Sequence, residues 1–239
     1  MKKHRMTALI LILSCLLPLT GASGEGRELE TEIWDLLLPE NAPVYEMIYE
    51  YPHLTGEDNT AVMINDSFDT ARYEMTDLLM PMLAALAGSE DGSLSTARQT
   101  YTVPCNDERF LSFLFRRKHE KDGIVSLTLE GSTYDIGGEY AGQTLTLRGV
   151  VMVGESTVQI VHCLMPVLYE RFCDLQEQGI VAADWTEEDF YDLVAPDTDF
   201  YTNADHSVTF FLQPEMMTEP SFDVPCFTFT AEELAALLN

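Results

Sequence analysis

The side chains that could carry chemistry in this 239-residue sequence are few and widely spaced. Beyond the first 22 residues there are four cysteines and four histidines, and no two histidines have a metal-ligand spacing. The sequence has no G-x-S-x-G elbow, no P-loop, no Rossmann glycine fingerprint and no H-E-x-x-H motif. Because there are 40 Asp and Glu residues, a glycosidase-like pair of carboxylates can always be chosen and carries no information. We therefore predict no catalytic residue, no metal and no cofactor.

Two short stretches have residue types found in metal sites. His162 precedes Cys163, with Cys173 ten residues later, but structural zinc normally has four clear ligands. The stretch Asp197–Asp205 offers oxygen ligands, but it lacks the glycine and the terminal Glu of a calcium loop. We interpret the first stretch as an ordinary helix surface and the second as a polar hairpin loop.

The cysteines could form a disulfide if the chain is exported. Cys105 and Cys226 each end a strand-like "VPC" triplet, and a bridge between them is one of the possible pairings. On a single helix, Cys163 and Cys173 would lie about 15 Å apart. A disulfide needs Cα atoms within about 7 Å, so we expect these two not to pair.

The N-terminus has the three parts of a signal peptide. A basic "MKKHR" precedes the apolar run "MTALILILSCLLPL" and the small residues "TGASG". As a helix the fourteen apolar residues rise about 21 Å, less than the roughly 30 Å of a bilayer core. We predict that residues 1–22 are a signal peptide cleaved after Ala22 or Ser23. Lipidation at Cys15 and an uncleaved anchor are the alternatives, and all three give an extracytoplasmic location.

The charge is strongly acidic and unevenly distributed. The formal net charge is −27, and no Lys or Arg follows Arg171, whereas fifteen Asp and Glu lie between Asp174 and Glu233. Such a surface repels nucleic acid and attracts cationic partners, although it can equally serve solubility alone. The basic run "RRKHEK" (residues 116–121) is the exception, and basic residues at a strand end typically guard a sheet edge.

Hydrophobic periodicity predicts an α+β protein. We expect a short helix around "TEIWDLLL", a strand at "VYEMIYEYPHL" and helices at about 59–87 and 155–179, each with an internal proline. Strands are predicted at "QTYTVPC", "RFLSFLFRR", "GIVSLTLEG", "STYDI" and "QTLTL", with a hairpin turn at 121–123. Later come a helix capped by Thr186, a hairpin, a last strand and a closing helix with a Thr230–Glu233 capping box. Together these elements predict an antiparallel sheet packed against two long helices.

The segment "YDIGGEYAGQTLTLRGVV" combines glycines, an acid and a basic residue, as a binding site would. Its glycines relieve steric limits on φ, and nothing reactive accompanies them. We interpret 137–142 as a turn and expect Leu145 and Leu147 to share one face of the next strand. The segment is predicted to be scaffold.

In order and spacing, these motifs resemble the extracytoplasmic domain of unknown function shared by RsiV-type lysozyme-sensing anti-sigma factors and the N-terminal part of PdaC-type peptidoglycan deacetylases. The resemblance covers about residues 44–238, through "YEYPHLTGEDNTAVMINDSF", "STYDIGGEYAGQTLTLRGVV" and "DFYTNADHSVTFFLQPEMMTEPSFDVPCFTFTAEELAALL". The matching residues are Tyr51, Pro52, Asn65, Tyr134, Asp135, Gly142, Leu145 and Leu147. Departures are "KDGIVS" in place of a Gly-Ala-His turn and "PEMMTEPS" in place of the family's loop.

The resemblance implies an α+β extracytoplasmic recognition module. Neither a sigma-binding nor a deacetylase segment is recognised in this sequence, so we expect neither anti-sigma activity nor deacetylation to transfer. In the anti-sigma branch the module binds lysozyme. We expect residues 23–43 to form an N-terminal arm, 44–152 a first lobe and 153–239 a second lobe of one compact unit. The hypothesis is an envelope-associated or secreted module that binds a cationic protein such as lysozyme or an envelope component. A hydrolase with an unrecognised carboxylate site and a structural partner of another envelope protein are the alternatives.

Overall fold

The computed structural model of the chain describes most residues beyond the N-terminus. The described residues are 26–38, 45–75, 77, 81, 94–151, 157–196 and 199–238. The predicted signal peptide, Cys15 and the predicted boundary between two lobes after residue 152 lie outside these ranges.

Eight strands and five α-helices make up the described part of the chain. The strands are β1 (Leu29–Leu38), β2 (Tyr45–Leu54), β3 (Ser95–Asn106), β4 (Phe110–Lys121), β5 (Ile124–Asp135), β6 (Phe200–Thr202), β7 (Val208–Phe211) and β8 (Cys226–Phe229). The helices are α1 (Asn59–Glu74), α2 (Leu147–Val151), α3 (Thr157–Glu177), α4 (Glu187–Leu193) and α5 (Ala231–Leu238), with a one-turn 3-10 helix at Pro214–Met216. The α+β class is therefore confirmed.

The first five strands form one mixed sheet in the order β1-β2-β3-β4-β5. All neighbours are antiparallel except β2 and β3, which run parallel from Tyr45 beside Ser95 to Tyr49 beside Gln99. A parallel pair needs a crossover connection, and here it runs through α1. The predicted helix at "TEIWDLLL" is wrong, because this segment is β1 and pairs with β2 along its whole length.

The β4–β5 hairpin closes at the predicted turn. Asp122 and Gly123 have φ values of 53° and 77°, so both central residues take the left-handed conformation that two-residue hairpin loops favour. The segments "GIVSLTLEG" and "STYDI" were predicted as two strands, but they form the single strand β5. The basic run 116–121 lies on β4, an interior strand, and not on a sheet edge.

Helix α1 packs on the five-stranded sheet through an aromatic cluster. Ile64 is fully buried, and the ring of Phe68 lies 5.8 Å from those of both Phe113 and Tyr134. Asp58 caps the helix by accepting hydrogen bonds from the N–H groups of its first turn. The prediction of a helix from 59 is confirmed to Glu74, and most of its predicted continuation to residue 87 lies outside the described residues.

The second sheet has three antiparallel strands in the order β6-β7-β8. It shares a large core with α2 to α5, and Phe172, Phe190, Phe210 and Leu234 are buried at its centre. The predicted cap at Thr186 is present, as a capping box with Asp189, and so is the predicted capping box of Thr230 with Glu233. The prediction of one antiparallel sheet against two long helices is not confirmed, since there are two sheets.

The segment "QTLTL" is not the predicted strand. Thr144 makes a single bridge to Tyr134, and the chain then enters α2 at Leu147. Leu145 and Leu147 nevertheless both reach the core, with 9% and 0% of their surface exposed. Leu147 and Val150 are buried on one side of the short helix, so the burial period is helical here and not two.

A small polar cluster joins the two sheets. The hydroxyl oxygen of Ser112 on β4 accepts a 3.1 Å hydrogen bond from the backbone N–H of Thr202 on β6, and it lies 2.9 Å from the Thr133 hydroxyl on β5. At Gly131, a Cβ would lie 1.8 Å from the carbonyl oxygen of Phe200, so only glycine allows this approach of β6 to β5. Among the residues that the structure describes, no helix is both long and apolar enough to cross a membrane.

Candidate functional site

A polar cleft of about 550 Å³ opens at one end of the five-stranded sheet. Its walls are the segment 26–28 before β1, the end of β2 at 54–56, the β3–β4 turn at 107–108 and the end of β5 at 136–137. Binding pockets for small ligands have volumes of this order, about 300–1,000 Å³. The cleft is therefore a candidate binding site.

Close backbone contacts build the walls of this cleft. The side-chain amide of Asn106 accepts from the N–H of Arg27 at 2.7 Å and donates to its carbonyl at 2.8 Å, so it pairs with this segment as a strand would. A Cβ on Gly26 would lie 2.4 Å from the carbonyl oxygen of Asn106, and one on Gly137 would lie 2.4 Å from that of Glu108. Both glycines are thus required where the walls meet.

The cleft carries more negative than positive charge. Its arginine, Arg27, forms an ion pair with Asp58, and this contact lowers the pKa of the Asp58 carboxyl. Three carboxylates line the walls: those of Glu28, Asp107 and Glu108. Glu28 and Glu108 are exposed, and Glu28 accepts a 3.2 Å hydrogen bond from the hydroxyl of Thr55. The cleft thus suits a cationic group better than an anionic one.

Asp107 is the most elaborately held group of the cleft. One carboxylate oxygen accepts from the backbone N–H groups of Arg109 at 2.7 Å and Phe110 at 2.8 Å. The other accepts from Nε2 of His206 at 2.7 Å and from the thiol of Cys105 at 3.3 Å. Burial alone raises the pKa of Asp107, but these hydrogen bonds outweigh it and bring the pKa below its ordinary value.

His206 reaches Asp107 from the β6–β7 turn. Its φ of 62° is in the left-handed region, which non-glycine residues adopt rarely and often at turns. The imidazole ring also packs edge-on to Phe110, with ring centroids 5.2 Å apart. The contact between His206 and Asp107 therefore joins the three-stranded sheet to the β3–β4 turn.

Cysteine, histidine and aspartate are the residue types of a cysteine-protease triad, but their arrangement here differs from it. In a triad, histidine lies between the nucleophile and the acid, whereas here Asp107 lies between Cys105 and His206. Burial, followed by the neighbouring charge of Asp107, raises the pKa of the Cys105 thiol well above its ordinary value. The raised pKa disfavours the thiolate form of Cys105, and the hydrogen bonds of the cluster position its groups.

The residues that match the family at the end of β2 have structural contacts. The Asn65 amide donates to the Leu54 carbonyl and accepts from the Leu54 N–H, both at 2.9 Å, which fixes α1 to the strand end. Tyr51 and Pro52 are buried beside it, and burial raises the pKa of Tyr51 to about 12. This group holds the cleft wall at 54–56 in place.

The matching residues at the end of β5 form a folded-back turn. The buried Asp135 carboxylate accepts from the N–H groups of Gly138 at 2.7 Å and Tyr140 at 2.8 Å. Gly142 has a φ of 90°, and a Cβ there would lie 2.9 Å from that of Met63 on α1. The Tyr134 hydroxyl lies 3.1 Å from that of Ser67.

The four cysteines within the described ranges are free thiols. Cys105 is buried beside Asp107, whereas Cys226 is exposed at the start of β8 and contacts the carbonyl of Val224 at 3.5 Å. The predicted Cys105–Cys226 disulfide is not formed here, and its formation under oxidising conditions stays a prediction. Cys163 and Cys173 lie on the single helix α3 and are also unpaired.

Within the described ranges, no group of three or more His, Cys, Asp or Glu side chains is placed to hold a metal ion. Asp199 and Asp205, which had been considered as calcium ligands, bind protein atoms. Asp199 accepts from the N–H of Ala195 at 3.1 Å, and Asp205 accepts from the N–H and hydroxyl of Ser207.

The acidic C-terminal part of the chain presents its charge to solvent. Among the acids that the structure describes there, twelve are exposed: Asp174, Glu177, Asp184, Glu187, Glu188, Asp192, Asp205, Glu215, Glu219, Asp223, Glu232 and Glu233. Arg171, the last basic residue, packs over the ring of Phe229 with its guanidinium 4.3 Å from the ring centroid. Arg171, which precedes this acidic region, is thus in contact with an aromatic ring of the fold.

Sequence reasoning missed Asp107, Glu108, His206 and the glycines that form the cleft. The string "NDERF" carries a local signal for Asp107, since Asp commonly accepts hydrogen bonds from backbone N–H groups two and three residues later. For His206 no local signal exists, because its partner is 99 residues away.

The fold resembles that of two solved structures. Over 88% of the chain it is similar to a DUF3298 family protein (PA4972) from Pseudomonas aeruginosa PAO1, with a TM-score of 0.55, 11% identity and 94% of that chain covered. It is also similar to a member of the DUF3298 family (BF2082) from Bacteroides fragilis NCTC 9343, with a TM-score of 0.50, 14% identity, and coverage of 88% of this chain and 93% of that one. No protein-family profile and no curated protein sequence matches the chain.

Proposed function

We propose that this protein is an extracytoplasmic recognition module without catalytic activity, whose partner is a cationic protein of the lysozyme type or a cationic group of the cell envelope. The observation that carries the proposal is the cleft, where the exposed carboxylates of Glu28 and Glu108 supply negative charge, while Arg27 is already paired with Asp58 and Asp107 with His206. A lysine or arginine side chain of a partner fits such a site in charge.

The distribution of charge over the whole chain supports the same class of partner. The exposed acids after Arg171 give this half of the protein a one-sign surface. Such a surface raises the encounter rate with a cationic protein, up to about 10⁸–10⁹ M⁻¹s⁻¹ at low salt. The cleft would then fix the complex, since long-range attraction alone is largely screened beyond about 8 Å at physiological ionic strength.

The fold and the sequence motifs add independent support. The fold is that of two DUF3298 proteins, and the motifs resemble the domain that senses lysozyme in RsiV-type anti-sigma factors. The arrangement at Asp107 favours binding over covalent catalysis, because the raised pKa of Cys105 disfavours its thiolate form. The predicted signal peptide supports the extracytoplasmic location.

The test is a titration of the mature protein with lysozyme and with an equally basic unrelated protein, at low and at physiological salt. Specific recognition predicts that lysozyme binding survives at physiological salt while the control is lost. Glu108→Gln should weaken lysozyme binding about two- to fivefold, as expected for one exposed charge contact of up to about 1 kcal/mol. The matched control Glu219→Gln removes an exposed acid far along the chain and should leave the affinity within about twofold.

Other outcomes would change the proposal. If both basic proteins bind alike and both are lost with salt, the acidity serves solubility and recognition of lysozyme is refuted. Release of sugar or peptide fragments from purified cell walls by the wild type but not by Glu108→Gln would favour the hydrolase alternative. Selective capture of one envelope protein, with no effect of Glu108→Gln, would favour the structural-partner alternative.

A further inference from the structure

Strand β5 lies at the edge of the five-stranded sheet, and the chain covers only part of that edge. In an antiparallel strand the N–H and C=O of alternate residues point away from the neighbouring strand. On β5 the outward residues are the odd-numbered ones. The outward N–H and C=O of Leu129 bind the side-chain amide of Gln213 at 3.1 and 3.0 Å.

The rest of the strand toward its C-terminal end is covered in the same way. The outward carbonyl of Thr133 accepts from the N–H of Leu145 at 2.7 Å. The outward N–H of Asp135 donates to the carbonyl of Gln143 at 3.0 Å. At Gly131, β6 approaches so closely that a side chain would clash with it. From Leu129 onward, therefore, the edge is closed to any other strand.

The five residues before Leu129 form an open edge. Within the part of the chain that the structure describes, the outward backbone groups of Val125 and Leu127 make no hydrogen bond with a loop or side chain. Ile124 is 75% exposed and Val125 is 46% exposed, which places two β-branched apolar residues in solvent at this edge. Exposed strand edges of this kind are templates for pairing with another strand.

We propose that the open edge, residues 124–128 of β5, pairs antiparallel with the same edge of a second copy of this chain. A two-fold axis beside Ser126 would place Val125 opposite Leu127 of the partner subunit and Leu127 opposite Val125 of the partner subunit. Both pairs consist of outward residues, so the register gives four backbone hydrogen bonds. It also stops just before Leu129, whose groups Gln213 already binds.

Other symmetric registers of the same two strands fit less well. An axis beside Val125 would give one pair of outward residues along the open edge, and an axis beside Leu127 would require Leu129 to release Gln213. In the proposed register two Val–Leu pairs lie side by side on one face of the joined sheet, where such cross-strand apolar contacts stabilise pairing. A second copy thus matches the open edge in length.

The charge near this edge also fits a second copy. The chain as a whole carries −27, so most faces of two copies would repel each other. Residues 116–130 are different, because their four basic and three acidic residues almost balance. The pairs Arg117–Glu130 and Lys118–Glu120, with N···O distances of 2.7 Å, neutralise much of this charge locally. The open edge is therefore a place where two copies can meet with little repulsion.

The contact would be small, so the dimer should be weak. Five residues a side bury less than the roughly 1,200 Å² of a standard stable interface. We expect a dissociation constant on the order of 100 µM, which corresponds to the low end of specific association. The sheet would then run through ten strands at high protein concentration, and the two clefts of the dimer would lie on separate copies.

The first experiment measures mass by sedimentation velocity over a concentration series that brackets this constant. Val125→Pro removes an outward N–H without touching the bonds to β4, since edge strands tolerate proline at such positions. It should raise the dissociation constant at least about tenfold, whereas Val125→Thr, which keeps the N–H and the branched shape, should change it less than about threefold. A wild type that stays monomeric, or dimers that persist in Val125→Pro, would overturn the proposal.

The second experiment tests the register and does not depend on the proline variant folding. In the proposed pairing, position 126 faces itself as a non-hydrogen-bonded pair, with Cα atoms about 4.5 Å apart, within disulfide range. Under mild oxidation Ser126→Cys should give a 126–126 linked peptide between chains, identified by mass spectrometry. Thr128→Cys is the matched control and should not link to itself. Equal linking of both variants, or none for Ser126→Cys, would refute this register.

Discussion

Replacing Asp107 by asparagine tests how the cleft is held together. Asparagine keeps one oxygen for the N–H groups of Arg109 and Phe110, but it puts an NH₂ group toward His206 and the Cys105 thiol. The variant loses the charge-assisted hydrogen bonds from His206 and Cys105, and it places the NH₂ group of asparagine beside these two donors. Hydrogen bonds to charged groups contribute about 1.5–3 kcal/mol each, and neighbouring bonds are not additive. We expect a loss of about 2–4 kcal/mol at neutral pH.

The effect should depend on pH in a defined direction. The pKa of Asp107 is lowered in the folded protein, so its ionised form stabilises the fold at pH values above the unfolded pKa of about 3.9. This contribution is lost as the pH falls through the lower, folded pKa. The stability difference between wild type and Asp107→Asn should therefore be constant near neutrality and shrink below about pH 4.

The assay is urea unfolding followed by far-ultraviolet circular dichroism, at neutral pH and at several acidic values where both proteins still fold. Glu108→Gln is the control, because its exposed side chain should change stability by no more than about 0.5 kcal/mol. Equal stability of Asp107→Asn and wild type at neutral pH would refute the structural role of this carboxylate. A large difference that ignores pH would show that shape, and not charge, is responsible.

Four further substitutions test the folded-back turn, the core and the carboxyl group of Asp199. Gly142→Ala should cost about 2–4 kcal/mol, because φ is 90° and the new Cβ would crowd Met63; unchanged thermal unfolding would show that the turn can relax. Leu147→Ala should cost about 2–5 kcal/mol, with Leu145→Ala toward the lower end, and loss of lysozyme binding at unchanged melting would mean that these residues form a site. Burial raises the pKa of Asp199 more than its hydrogen bonds lower it, so the charged form opposes folding at neutral pH. Asp199→Asn should therefore be at least as stable as wild type at neutral pH, and the gain should vanish in urea titrations as the pH falls through the raised pKa.

The elements that the sequence predicted best are those whose signals are local. The hairpin turn at Asp122 and Gly123 depends on two adjacent residues, and the helix cap at Thr186 and the capping box at Thr230 depend on residues three apart. The stretch "TEIWDLLL" was wrongly predicted to be helical because leucine and glutamate favour helices. Its conformation is decided by the pairing of β1 with β2, which extends over ten residues. The prediction of a strand at "QTLTL" is wrong because its alternation of apolar and polar residues ends at Leu147, where α2 begins.

The candidate site could not be predicted in the same way. Arg27 and Asn106 are 79 positions apart, and Asp107 and His206 are 99 apart. Only the folded sheet brings these pairs together, and single-sequence patterns carry no information about contacts at such separations. The matching residues Asn65 and Asp135 were recognised as a motif, yet their hydrogen bonds hold α1 and the folded-back turn and do not form a ligand site.

The parallel pairing of β2 with β3 has a consequence for the order in which the sheet assembles. The β1–β2 hairpin and the β3–β4–β5 meander each join segments that are neighbours along the chain, whereas β2 meets β3 only after about forty intervening residues have been placed. Contacts that close long loops form slowly, because the entropy is lost before the contact is gained. The pairing of β2 with β3, at Met47 and Ala97, should therefore form last and open first. Native-state amide exchange should be faster there than along β4.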